Sequence, residues 1–368
     1  MNFETRIMTK AEPLGSSPIW TPPCAMESLY PWLVRARAEV AELKGMSSLL
    51  IGREHLLKPL LLVEAIGQCE MDGHRMAFQE ILESQLYTAP EQTPVAREVF
   101  RTREALQSFI QTNPVHGSLL EELAALESVC LGRTPGKKQP KPHFVSGQST
   151  ASGKGNQLPA QIAEAQRFME TENRELDPLV KSLMILWQLE AIEAFEDRNS
   201  RISRIHFKGH LVRIGLLRFP VIFLSGFLQR NLANHQRLRR EVSGRDGWCP
   251  YLKFMLHGLY QRASQTRLKI ESLLEYQDQF DQKVSELCKA LYTPELIKVL
   301  MTYPVISPLR LSARMNIHYT TATRYLKKLE EEGFMANRQS GKYQLYTNHQ
   351  LVQLLSEYDS TPENGGFD

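Results

Sequence analysis

From Pro31 to about Leu131 the apolar positions recur with helical spacing, as in "LVRARAEVAELKGMSSLL" and "VAREVFRTREALQSFI". The same spacing resumes at Pro159. Asp177 followed by Pro178 is a helix start, because Asp can cap and Pro is tolerated at the first helical position. The segment after it, "LVKSLMILWQLEAIEAF", is apolar on nearly every face and predicts a central, buried helix. Ile202, Ile205, Gly209, Val212 and Leu216 then form a stripe, so "SRISRIHFKGHLVRIGLL" is a second core helix. A short polar loop, "EDRN", therefore sits between two core helices, where polar groups are costly unless they find partners.

Two stretches break the pattern. The first 28 residues, rich in Pro, Ser and Thr, read as a loosely held arm. Residues 132–159, "GRTPGKKQPKPHFVSGQSTASGKGNQLP", carry little to bury and predict a long exposed loop, with "HFV" as the place for a short hairpin. Inside it "GQSTASGKG" imitates a P-loop. Five residues rather than four separate Gly147 from Gly153, Gly155 stands where a Ser or Thr should follow the lysine, and no apolar strand precedes it. It is not read as a nucleotide site.

From Thr293 the pattern changes again. "TPELIKVLMTYP" is a helix ended by Pro304, "SPLRLSARMNI" a short helix, and "HYTTATRYLKKLEEEG" a longer one stopped at Gly333. "FMANRQSGKYQLYTN" reads as two short strands about a Ser-Gly-Lys turn.

Composition narrows the classes. At 368 residues the chain has room for two or three cores, and 42% apolar with 23% charged residues is ordinary for a globular protein. A formal charge of +3 points to no nucleic-acid affinity for the whole chain, so any basic patch is local. Five cysteines without CxxC spacing argue against a disulfide framework or a zinc site and fit a reducing compartment. The N-terminus lacks the apolar run of a signal peptide, and the longest apolar runs fall short of the roughly 20 residues of a membrane span. The expectation is a cytoplasmic protein with no membrane partner.

The polar loop carries the candidate chemistry. A helix N-terminus offers unpaired N–H groups and a positive dipole end, a seat for phosphate. Arg201 and Arg204, three apart in the first turn, share one face and oppose that dipole. Either they pair with carboxylates such as Glu196 or Glu190, or they hold an anion. His206 and His210 are four apart, but with no third ligand evident they are read as ordinary, partly exposed histidines.

"QLEAIEAFEDRNSRISR" resembles the signature of the Fic (filamentation induced by cAMP) family, H-P-F-x-[D/E]-G-N-G-R-x-x-R. Phe195, Asp197, Asn199, Arg201 and Arg204 match; Glu193 replaces the histidine, Ala194 the proline, Arg198 the first glycine and Ser200 the second. "ARAEVAELKGMSSLL", "FLSGFLQRN" and "GWCPYLKFMLHGL" extend the likeness over about residues 30–350. The resemblance implies an all-α, Fic-like helical core and an enzyme class that transfers AMP from ATP to a protein hydroxyl. The histidine position is the general base, Asp197 the Mg²⁺ ligand, and Arg198, Asn199, Ser200, Arg201 and Arg204 the phosphate cradle. A flap within 132–158 would dock the target. The family's inhibitory pattern [S/T]-x-x-x-E-[G/N] aligns with Gln68, Asp72 and Gly73, which implies an Asp72–Arg204 pair.

The departures bear on activity. An unperturbed Glu, with a pKa of about 4.3, is a weak base at neutral pH. Losing both glycines removes the freedom a phosphate-wrapping loop uses. The expectation is a pseudoenzyme; the alternatives are an adenylyltransferase using Glu193 as base, with ATP and Mg, and a protein-interaction scaffold.

The last module, "LSARMNIHYTTATRYLKKLEEEGFM", resembles the winged helix-turn-helix, with a small β wing. Eight Lys or Arg face four Glu over residues 293–350. DNA contact is expected from Tyr319, Thr320, Thr321, Thr323 and Arg324 in the major groove and from Lys327, Lys328, Arg338 and Lys342 at phosphates. The chain thus reads as an arm (1–28), an N-terminal helical region (29–131), a flap (132–158), a Fic core (159–275), a winged helix (276–358) and a tail (359–368). Expected partners are DNA and a protein target or partner. Winged helices commonly read paired half-sites, which suggests a homodimer.

Overall fold

The computed structural model of the chain describes residues 26–111, 117–133, 158–172, 176–195, 197–242, 247–341 and 343–356. The expected arm up to residue 25, the P-loop-like stretch, the "HFV" hairpin with the flap at 134–157, and the tail beyond 356 lie outside them.

The described chain is helical except for one small sheet. Helix α1 (Tyr30–Ser47) starts on Pro31 and buries Leu33, Ala36, Val40 and Leu43, one face by the i, i+3, i+4 rule, against the long α11 (Trp248–Leu287). Then follow α2 (Leu57–Met71), α3 (Phe78–Ser84), α4 (Pro94–Gln111), α5 (Leu119–Cys130), α6 (Leu158–Glu170), α7 (Pro178–Ile192), α8 (Asn199–Arg213), α9 (Leu224–Arg230) and α10 (Leu232–Glu241). Ser118 and Glu121 form a reciprocal capping box on α5. Asp177 caps α7 as expected, accepting from the Leu179 N–H at 2.7 Å.

Helices α7 and α8 are the centre. Every residue of α8 from Arg201 to Leu211 is buried, between α7, α5 and α4. This corrects the expectation for His206 and His210: both are buried with stacked rings 6.1 Å apart. Burial, then neighbouring charge, pushes each imidazole down to about 3, so both are neutral core residues at physiological pH. The reason is that α8 has no solvent face, which its mixed polar sequence conceals.

Helix α11 is 40 residues long, about 60 Å by helical rise, and runs unbroken from the core into the C-terminal module. There α12 (Pro294–Thr302), α13 (Pro308–Met315) and α14 (Tyr319–Glu331) precede the hairpin of β2 (Ala336–Ser340) and β3 (Tyr343–Thr347). Two elements not anticipated complete it. Strand β1 (Val305–Ile306) pairs antiparallel with β3, giving the order β1-β3-β2. Helix α15 (His349–Ser356) then returns to α11, where Lys269 Nζ donates to the carbonyls of Leu354 at 2.5 Å and Leu355 at 3.1 Å. A cation on the last carbonyls complements the helix dipole. Four described cysteines, Cys69, Cys130, Cys249 and Cys288, are free thiols.

Gly258 of α11 marks a close approach. A Cβ there would lie 2.4 Å from the ring of Phe227, which is itself buried and packed on Phe254 at 4.9 Å. Alanine would gain up to about 1 kcal/mol of helix propensity. Overpacking against a ring with no room to move costs about 1–3 kcal/mol and wins. Gly258→Ala is therefore expected to lower the urea midpoint without changing the slope. A midpoint equal to or above wild type would show that the α9–α11 contact is looser than described.

Candidate functional site

The loop joining α7 to α8 keeps an unusual backbone although its glycines are gone. Glu193, the first residue after α7, has φ +50°, and Arg198, which precedes α8, has φ +62°. Both lie in the left-handed region that non-glycine residues rarely occupy. Asn199 closes the loop: its Oδ1 accepts from the Phe195 N–H at 2.7 Å and its Nδ2 donates to the Phe195 carbonyl at 2.5 Å. Ser200, next along, is half-buried in the first turn of α8. Glu196 lies outside the described residues.

The three arginines form an alternating chain with three acids: Asp72 at the end of α2, Glu98 of α4 and Glu190 of α7. Arg198 meets Glu98 of α4 at 2.7 Å, and the same carboxylate takes Arg201 at 2.6 Å. Arg201, 1% exposed, is held on its other side by Asp72 at 2.6 Å. Asp72 also lies 3.5 Å from Arg204, which reaches Glu190 of α7 at 3.7 Å; Glu190 in turn faces Arg239 of α10 at 3.6 Å. The expected Asp72–Arg204 pair is present, but Asp72 is closer to Arg201.

Gln68 fills the remaining position on Arg204, accepting from Nε at 2.7 Å, and donates to Glu64 at 3.0 Å. Glu64 is completely buried, pairs with Lys208 at 2.8 Å and accepts from Ser225 at 2.6 Å. Glu64 and Gln68 on α2 and Asp72 just past its end, spaced by four, thus face Lys208, Arg204 and Arg201 along α8. Gly73, at φ +85°, turns the chain away beyond Asp72.

Glu98 and Glu64 were not singled out from sequence. Glu98 sits 103 positions from Arg201, on a helix whose pattern looks like ordinary amphipathic surface. The only local signal is its position within "VAREVF", toward the buried face of α4.

The C-terminal module places its expected residues unevenly. Tyr319, Thr320, Arg324 and Lys327 are exposed on α14, and Thr321 and Thr323 are half-buried beside them. A cleft of about 900 Å³ runs between this face and residues 286–291 at the end of α11. Lys328 is tied to Glu332 at 2.6 Å and Glu331 at 3.7 Å. Arg338 is bonded to Glu83 of α3, and Tyr87 packs on Tyr343 with ring centroids 5.3 Å apart. The wing therefore rests on the segment after α3. Lys342 lies outside the described residues.

Residues 30–111 match the profile of the Fic/DOC family N-terminal domain. Residues 276–351 match the C-terminal domain of SoFic-like protein adenylyltransferases. The chain belongs to the Fic family. Its fold is similar to the crystal structure of a Fic family protein from Desulfovibrio desulfuricans G20, with a TM-score of 0.52 at 15% identity over 89% of this chain and 98% of that one. The motif at 193–204 lies between the two matched segments.

Fic family proteins use ATP with Mg for AMP transfer. The residues as arranged do not fit that pair. The guanidinium donors that would meet phosphate face Glu98, Asp72, Gln68 and Glu190 instead. Asp197, the expected Mg²⁺ ligand, accepts from the Arg198 N–H at 2.7 Å and from its guanidinium at 2.5 Å. Among the described residues no group of three or more His, Cys, Asp or Glu could hold a metal ion.

Burial pushes the Glu98 carboxyl up, but hydrogen bonds and charge from Arg198 and Arg201 outweigh it and hold it below its ordinary value of 4.5. A depressed carboxylate contributes stability fully above 4.5 and loses it as pH falls through the folded value. Glu98→Gln is expected to cost about 1.5–3 kcal/mol at pH 7, the range for hydrogen bonds to charged groups. In urea titrations the gap to wild type narrows below pH 4.5. A gap that is absent at pH 7, or that widens in acid, would contradict the pairing.

Proposed function

We propose that this Fic protein is a pseudoenzyme whose core no longer transfers AMP, and that it acts as a DNA-binding regulator through its winged helix. One observation carries the first half: the motif arginines face the chain's own carboxylates. A triphosphate would have to displace Asp72 and Glu98 while both remained beside it as like charges. Glu193 at the histidine position adds a further negative group near the same loop. A proton acceptor must also be a competent base at working pH, and a glutamate in place of histidine starts from a much lower value.

The DNA half is supported by α14. Thr320, Arg324 and Lys327 stand exposed along one face, with Ala322, Leu326 and Leu329 buried on the other. That is the disposition of a recognition helix. Arg338, engaged with Glu83, is removed from the expected phosphate contacts, so among the described residues α14 carries the contact.

A second reading, adenylyl transfer with Glu193 as base, is favoured by the retained left-handed backbone at Glu193 and Arg198. Incubation with ATP labelled at the α-phosphate and with Mg²⁺ separates the two. We expect no label on the protein or on lysate proteins; label that vanishes in Glu193→Ala would establish the second reading. For DNA, affinity is expected to fall steeply with salt, and Arg324→Ala/Lys327→Ala to reduce the log–log salt slope by about 2. Equal binding by that variant and wild type would remove α14 as the contact.

A further inference from the structure

Three cations surround one tyrosine where the core meets the winged module. Tyr303, at the end of α12, is 4% exposed. Lys58 of α2 lies 4.4 Å from its ring centroid and donates to its hydroxyl at 2.8 Å. Arg310 and Arg314 of α13 lie 5.6 and 5.4 Å from the same centroid. Arg103 of α4, 8% exposed, joins the group through Gln85, to which both it and Arg310 donate. A single ring face attracts a cation but cannot neutralise several.

Among the described residues none of these four cations has a carboxylate within ion-pair distance, and Glu104, exposed on α4, is the acid that acts on Lys58 and Arg103. Gln85 supplies dipoles only: its carbonyl accepts from Arg310 and its side-chain oxygen from Arg103 at 3.4 Å. The Nε donors of Arg103 and Arg310 are buried with no acceptor among the described residues. Buried donors of this kind are nearly always satisfied, and an unpaired guanidinium is among the costliest to leave so.

We propose that Lys58, Arg103, Arg310 and Arg314 form a binding site for a small phosphate-bearing anion that bridges the Fic core and the winged module. Guanidinium forks match phosphate oxygens two at a time, and Lys58 contributes a point charge. Arg314 is exposed while Arg103 and Tyr303 are buried, so the group reaches solvent at one edge only, which suits a compact anion rather than a duplex backbone. The site is separate from the motif arginines and does not rest on whether the core transfers AMP.

A protonation change accompanies occupancy. Burial first, then Arg103, Arg314 and Arg310, push the Lys58 ammonium down to about 7, with Glu104 opposing. The groups facing it are Arg103 and Glu104 from α4, Arg310 and Arg314 from α13, and Tyr303 from α12. An anion among them raises Lys58, so near pH 8 binding takes up protons.

The test is calorimetric titration of the full chain with inorganic phosphate and, in a separate arm, with ATP. Saturable phosphate binding is expected, with a heat at pH 8 that depends on buffer ionisation enthalpy. Arg314→Gln, at an exposed position that should not disturb folding, is expected to weaken it at least tenfold, as is Arg310→Gln with folding checked by circular dichroism. ATP binding more tightly than phosphate, with the same losses, identifies a nucleotide as the source; equal or weaker binding identifies free phosphate. No saturable binding by wild type, or affinities unchanged in both variants, would overturn the site. Binding that persists in Arg314→Gln and is lost in Arg198→Ala would place the anion at the motif and overturn it too.

Discussion

A buried guanidinium must be matched by negative charge, and Arg201 is matched twice within the chain, by Asp72 at the end of α2 and Glu98 of α4. Removing an arginine from water costs several kcal/mol, which good geometry and full hydrogen bonding must offset. The offset here comes from elements far apart in sequence, so the charge on Arg201 fixes how α2, α4 and α8 lie together. Each acid is shared, Glu98 with Arg198 and Asp72 with Arg204, and the alternation continues through Glu190 to Arg239. A phosphate is one way to neutralise such arginines. This chain supplies carboxylates instead, and the helix packing is the outcome.

Helix α4 connects two regions of unlike chemistry. Its Glu98 holds the motif arginines, and five residues later its Arg103 stands in the cation group beside Tyr303. The segment joining α3 to α4 reaches the winged module through Gln85 to Arg310 and through Tyr87 to Tyr343. On the other side α11 runs from the core into the module and receives α15 through Lys269 and Tyr276. The module that carries α14 is thus anchored along two lines, one of them passing through the helix that closes the motif.

Much of the architecture could be read from the chain. Asp177–Pro178, the apolar run of α7 and the Ile202–Ile205–Gly209 stripe located the two central helices. The altered motif located its loop, because five of its positions survive in order. The acids that fill the cradle were less accessible. Asp72 was found through its place in the inhibitory pattern, but nothing local distinguishes Glu98 from a surface glutamate on α4. Its partners are 100 and 103 positions away. The same limit concealed the burial of His206 and His210, since full burial of α8 depends on three neighbouring helices. Strand β1 was missed because two residues after a proline carry no periodicity; α15 was missed because its stability comes from α11.

The charge of Arg201 is balanced within the chain by Asp72 and Glu98. A double-mutant cycle on Asp72→Asn and Arg201→Gln measures that balance directly, by urea unfolding of wild type, both single variants and the double. For charged groups hydrogen-bonded at 2.6–2.8 Å, a coupling of about 1.5–3 kcal/mol is expected, with the double variant less destabilised than the sum of the singles. Additivity within about 0.5 kcal/mol would mean that the two side chains do not share their charge, and would contradict a balance made by Asp72.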